Sequence, residues 1–253
     1  MLPLYEAKLF DCYDHRSGTF AEVPRGSRFL RKATPVRPPL SDKQSPDYEI
    51  TTRYWVSETD FVGKTRALGW KQGWGFAIQD ITRTTTMQQA AVGTVIPWLP
   101  LSNASPALLF ETGTPARTAV LFMSTFASLP LDYVVRQKLA GAHLNLFILE
   151  QIAAPTPAHF EREFTINGLT HTAADLAVGW ALELICVTNS LMPLGREFGL
   201  TEPYPWDADR RFHLRRLLDA LMAHLYGMTE MTSTTPSAPS ASSTTTTCET
   251  TAA

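Results

Sequence analysis

A chain of 253 residues can bury a sizeable core, and 44% hydrophobic with 18% charged residues is the composition of a folded protein. A net charge of −2 excludes the global basic footprint of a stand-alone nucleic-acid binder, so any such contact has to be local. No apolar run of about 18 residues is present to span a bilayer, and "MLPLYEAKLFDCYDHR" lacks the basic start and apolar stretch of a secretion signal, so no membrane partner is expected.

Residues 1–60 are poor in helical periodicity and rich in breakers, with prolines at 24, 35, 38, 39 and 46 in the stretch 22–49, which predicts an extended, mostly loop segment. Its basic run, Arg25, Arg28, Arg31, Lys32 and Arg37, reads either as a solvated linker or as an arm that tracks phosphates. From residue 61 short β-rich runs follow. "GWGFAIQDITR" and "QQAAVGTVIPW" are candidate strands, and Trp55, Trp70, Trp74 and Trp98 read as core aromatics. "RTAVLFMSTFASLPLDYVVRQKL" carries helical spacing that Pro130 should divide into two helices. Gly141 stands where a left-handed helix cap would fall, and "LNLFILEQI" has the length of a buried strand. After a short connector, "TAADLAVGWALELICVTNSLMPLGREFG" reads as helix. "PYPWDADRRFHLRRLLDALMAHLYGM" is an amphipathic helix with Leu214, Leu217, Leu218, Leu221 and Leu225 on one face. Arg210, Arg211, Arg215 and Arg216 lie off that stripe, toward solvent or toward DNA. The Ser/Thr-rich end, 229–253, has too little apolar surface to offset its ordering entropy.

The expected fold is therefore α+β: a mixed small-sheet module with flanking helices, C-terminal helices and a disordered tail. The units are 1–60 (extended segment), 61–168 (the α/β module), 169–228 (helical region) and 229–253 (tail).

Chemistry is sparse. The sequence contains no G-x-S-x-G elbow, no P-loop, no G-x-G-x-x-G turn and no H-E-x-x-H pair. Three scattered cysteines, Cys12, Cys186 and Cys248, form neither a zinc pattern nor an even disulfide set, which suits a reduced, cytoplasmic setting. The six histidines likewise select no metal site, so neither a catalytic nor a metal-ligating set is expected.

Five stretches, "LYEAKLFDCYDHRSGTF", "DYEITTRYWV", "GWGFAIQDITRTTT", "LPLDYVVRQKLAGAHLNLFILEQI" and "PYPWDADRRFHLRRLLDALMAHLYGM", taken in this order, resemble the C-terminal region of large adenine-N6 DNA methyltransferases of bacterial restriction and phage-defence systems. These are the type IIG or Eco57I-like proteins and their BREX and DISARM relatives. In that family a preceding domain binds S-adenosylmethionine and holds a flipped adenine with an Asn/Asp-Pro-Pro-Tyr/Phe motif. Here the only adjacent prolines, Pro38 and Pro39, are flanked by Arg37 and Leu40, so the motif is absent. The resemblance thus implies a target-recognition fragment without a cofactor of its own. S-adenosylmethionine is expected on a separate catalytic domain. The implied partners are double-stranded DNA and that domain or another defence-system subunit. A protein-interaction scaffold in a defence complex, or a decayed remnant of such an enzyme, are the alternatives.

The DNA-contact candidates under this reading are Arg136 and Lys138 for phosphates, and Gln137, His143 and Asn145 for base edges, with Gly141 permitting close backbone approach. Arg83 and Thr84 in "DITRTTT", and His15 and Arg16 in "DHR", are further candidates. For each a structural role, as a cap, a turn bond or a solvated charge, stands beside the functional one.

Overall fold

The computed structural model describes residues 1–30, 32–81, 89–111, 113–139 and 141–228. The protein is α+β, with ten α-helices and seven short strands among the described residues.

The N-terminal segment is closed at its ends. Strand β1 (Leu2–Pro3) pairs antiparallel with β2 (Trp55–Val56). The described chain between them carries a 3-10 turn, Ala7–Leu9, and two short helices, α1 (Arg25–Arg28) and α2 (Leu40–Gln44), which begin after Pro24 and Pro39, where a fixed φ and a missing amide cost nothing. The segment is nevertheless not a loose arm. Tyr5, Leu9, Phe10, Phe20 and Ile50 are buried together against Ala77 and Ile96 of the neighbouring sheet.

Helix α3 (Glu58–Ala67) starts at Ser57, whose hydroxyl accepts the Asp60 amide. Next comes a three-stranded antiparallel sheet of β3 (Trp74–Ile78), β4 (Gly93–Pro97) and β5 (Ala107–Leu108), in the order β4-β3-β5. Strands β3 and β4 are buried along their whole length. Alternation explains why: Trp74, Phe76, Ile78 and Val95 face the helices, whereas Ala77 and Ile96 face the N-terminal segment. The sheet is thus the middle layer of three. At Gly93 any Cβ would lie 2.8 Å from the Phe76 and Phe126 rings, so only glycine lets this strand approach them.

The helical layer begins with α4 (Ala116–Phe126) and α5 (Leu129–Lys138), which meet at 65°. Pro130 sits in the first turn of α5 behind an N-cap by Ser128, as its position in the sequence predicts. Short helices α6 (Leu146–Leu149) and α7 (Pro157–Phe160) lead to a hairpin, β6 (Glu163–Ile166) and β7 (Leu169–Thr172). Its turn is Asn167-Gly168 with both φ positive, 51° and 80°, which matches the twist of the flanking strands. Helix α8 (Ala173–Ile185) packs between α4 and α10, with α9 (Met192–Arg196) between α8 and α10 in sequence. The last helix, α10 (Ala208–Leu225), is capped by Asp207 and buries Leu214, Leu218, Leu221 and Leu225 as its stripe requires.

Four local expectations change. Trp55, expected in the core, is 54% exposed on the two-residue strand β2. The run "LNLFILEQI" forms α6 and a turn instead of a strand: a short apolar run has no periodicity that tells the two apart, and only Leu144 and Ile148 of its neighbourhood are fully buried. The long helix from Thr172 stops at Cys186 (ψ 59°), and the chain then makes a 3-10 turn, Asn189–Leu191, before Pro193 is admitted in the first turn of α9. Gly141 does not cap α5, because that helix ends at Leu139, two residues earlier and in an extended conformation. The tail, 229–253, lies outside the described residues. No single described helix is long and apolar enough to cross a membrane, and the bent α4–α5 pair that has the composition faces the core with Val120, Met123, Phe126 and Leu131.

Leu218 lies at 1% exposure in the α10 stripe, so Leu218→Ala should cost about 2–5 kcal/mol in chemical denaturation. Leu169→Ala, at the 64% exposed hairpin, should stay within about 0.5 kcal/mol of the parent.

Candidate nucleic-acid interface

The loop that joins α5 to α6 is held at both ends by an aspartate. On the helix side Asp132 lies one turn into α5 and is 5% exposed. Its Oδ1 accepts the amides of Ala90 (2.5 Å) and Ala91 (3.0 Å), just ahead of β4, and its Oδ2 accepts Arg136 Nε at 2.7 Å. These two amides lie ahead of the β4 ladder, and a carboxylate satisfies both at once with charge-assisted bonds. The spacing of four residues then lets Arg136 neutralise the charge from the next turn.

On the sheet side Asp80 follows β3. Its carbonyl accepts the Leu144 amide at 2.8 Å, its carboxylate meets His143 Nδ1 at 3.0 Å, and Ile81 bridges to His143. Leu139 and Leu144 are the buried feet of the loop. Between and beside them Gln137, Lys138, Gly141, His143 and Asn145 are exposed. Because a carboxylate only accepts, the Asp80 contact fixes the proton on His143 Nδ1 and leaves Nε2 as an outward acceptor when the ring is neutral.

The sequence candidates therefore separate into groups. Gln137 and Lys138, in the last turn of α5, and His143 and Asn145, on the loop that follows, are all exposed. Asn145 precedes α6 without using its side chain as a cap, so its amide group faces outward unspent. Arg136 belongs to the Asp132 anchor, with 23% of its side chain exposed. Gly141 is exposed, and no protein atom crowds the place of its missing Cβ. Arg83 and Thr84 lie outside the described residues.

His15 and Arg16 are corrections. Both are buried, at 2% and 0% exposure, and cannot present themselves to DNA. The Arg16 guanidinium donates to the carbonyls of Lys43 (2.8 Å), Ser45 (2.9 Å) and Tyr48 (3.0 Å), filling the acceptors of an irregular stretch that no ladder satisfies. His15 Nε2 lies 3.4 Å from Thr188 Oγ1. Arg211, expected off the α10 stripe among solvated cations, is also buried and donates to Leu184 O and Tyr13 O at 2.7 Å each.

The sequence reading missed the two aspartates. Asp132 carried a usable signal, an acid in the first turn of a helix four residues before an arginine. Asp80 carried none, since its partner is 63 residues away. Also missed were exposed apolar side chains beside the loop: Tyr133 at 60%, Leu146 at 57% and Phe147 at 59%. Among the described residues no group of acids, histidines and cysteines has the arrangement to hold a metal ion.

Comparison with protein-family profiles, with curated proteins and with solved structures yields no match for this chain.

Two measurements follow. Asp132→Ala strands two buried amides and should cost about 2–4 kcal/mol in denaturant unfolding, while Asp132→Asn, which keeps an acceptor, should cost less. Burial, reinforced by the Arg16 charge, pushes the His15 imidazole down to about 3. The unfolded chain, with an ordinary imidazole near 6.5, then binds one more proton than the folded chain between these values. Stability is lost as pH falls through that window, by about 2 kcal/mol at about pH 5, and is unaffected above it. His15→Asn should flatten the pH dependence of the unfolding free energy over this interval; an unchanged slope would show that His15 does not titrate on unfolding.

Proposed function

We propose that the chain is the DNA target-recognition part of an adenine-specific methyltransferase system, acting beside a separate catalytic domain that supplies S-adenosylmethionine chemistry. The observation that carries this reading is the end of α5 and the α5–α6 loop: four exposed polar side chains of base-reading and phosphate-binding type, held on the helix side by buried bonds to Asp132 and on the sheet side by the exposed Asp80–His143 contact. Pre-orientation of this kind reduces the entropy lost on binding. Lys138 brings an ammonium to a phosphate. Asn145 and Gln137 can bond adenine N6 and N7 in pairs, and His143 Nε2 can accept from an exocyclic amine. The ordered resemblance of five sequence stretches supports the same assignment. Methyl transfer itself is left to the partner domain, since the Asn/Asp-Pro-Pro-Tyr/Phe motif is absent from the sequence.

A second reading, a protein-interaction module of a defence complex, is favoured by Tyr133, Leu146 and Phe147, which together offer exposed apolar area of the sort buried at protein interfaces.

Salt-dependent binding to duplex DNA separates the two. Lys138→Ala should weaken binding to all sequences and reduce the salt slope by about 0.9. Asn145→Ala should cost about 1–3 kcal/mol of discrimination at one base pair and leave the salt slope unchanged. No shift of duplex DNA at low salt, by the chain alone or with a cognate catalytic partner, would overturn the DNA reading. Loss of a protein partner on Phe147→Ser, with DNA binding absent throughout, would establish the second.

A further inference from the structure

A cleft of about 780 Å³ opens between the N-terminal segment and the first half of α10, away from the α5–α6 loop residues. Five cations line it: Arg37 and Lys43 from one wall, Arg211, Arg215 and Arg216 from the other. Three carboxylates, Asp11, Asp14 and Asp219, line it too, but each is engaged within the protein. Asp14 pairs with Lys43 and accepts the Arg16 amide, Asp11 accepts the Cys12 amide, and Asp219 accepts the Leu129 amide. Arg211 spends its donors on two carbonyls and stacks on Trp206, 3.7 Å from the ring centroid.

What remains unspent is at the rim. Arg37, Arg215 and Arg216 are exposed, and none forms an ion pair among the described residues. Arg215 has only a long 3.4 Å contact to Gln89. Beside them Phe212 is 65% exposed, with the Arg216 guanidinium 5.5 Å from its ring centroid. Three like charges brought together from segments about 180 residues apart repel one another, and an anion in the cleft relieves that repulsion.

We infer that this cleft binds a nucleotide unit, with its phosphate on Arg37, Arg215 and Arg216 and its base against the face of Phe212. Guanidinium forks match phosphate oxygens in pairs, an aromatic face accepts any base, and the volume lies in the range of small-ligand sites. A carboxylate partner would use the arginines but would leave Phe212 without a stacking role. The site is distinct from the α5–α6 loop, so it stands or falls separately from the DNA-recognition reading.

The test uses the full chain with two probes, a deca-thymidine oligonucleotide and free thymidine monophosphate, titrated by calorimetry at several salt concentrations. The Arg215→Ala/Arg216→Ala double variant should weaken oligonucleotide binding and lower its salt slope by about 1.4, at about 0.7 per contact. Phe212→Ala should weaken it roughly five- to a hundredfold. Lys64→Ala, an exposed residue of α3 that lines neither site, should leave it unchanged. All four positions are exposed, and retained circular dichroism and melting temperature will show that the variants fold. Binding of both probes with this dependence assigns the cleft to nucleotides in general, and binding of the oligonucleotide alone assigns it to a strand. Absence of binding, insensitivity to both variants, or equal displacement by a deca-glutamate peptide would overturn the inference.

Discussion

The Asp132 carboxylate is the contact on which the candidate interface depends. It joins two parts of the chain about 40 residues apart, the two amides entering β4 and the body of α5, and binds the arginine one turn further along the same helix. A buried ion pair is a weak source of net stability, because desolvation consumes much of its attraction. Its value here is geometric. Two short bonds to consecutive amides fix both the rotation of α5 and its height against the sheet, and the α5–α6 loop leaves from the end of that helix. Asp80 then fixes the far end of the loop to β3. A loop tied to one sheet at both ends presents its exposed side chains in a defined order.

The N-terminal segment poses a different problem, that of packing proline-broken chain against a core without leaving carbonyls unpaired. Buried arginines solve it. Arg16 and Arg211 donate to five carbonyls between them, and Arg53 reaches two more while pairing with Glu6. Each guanidinium offers five donors in one plane, and Trp206, Phe20 and Tyr54 cover the open faces. The cations that a sequence reading links most readily to DNA are thus divided by the fold: some are structural, and the rim arginines of the cleft stay available.

Legibility followed physical range. The α10 stripe, the split at Pro130 and strands β3 and β4 are local patterns, and the chain realises them. The Asn167-Gly168 hairpin was equally local and readable, yet its strands are only four residues each and carry no strong alternation. The α6 region was misread because four apolar residues fit either period. In the interface, exposure of Gln137, Lys138, His143 and Asn145 agrees with their polarity. The burial of His15, Arg16 and Arg211 was not readable, since it depends on carbonyls up to 198 residues away. The convergence of Arg37 with Arg215 and Arg216 has the same origin.

The central claim, that the α5–α6 loop is the surface that meets DNA, is tested most directly by hydrogen exchange of the full chain with and without saturating random-sequence duplex DNA at low salt. Amides 137–147 should gain protection on DNA addition, while those of the β6–β7 hairpin should not change. Bound DNA with no added protection at 137–147 would contradict the account.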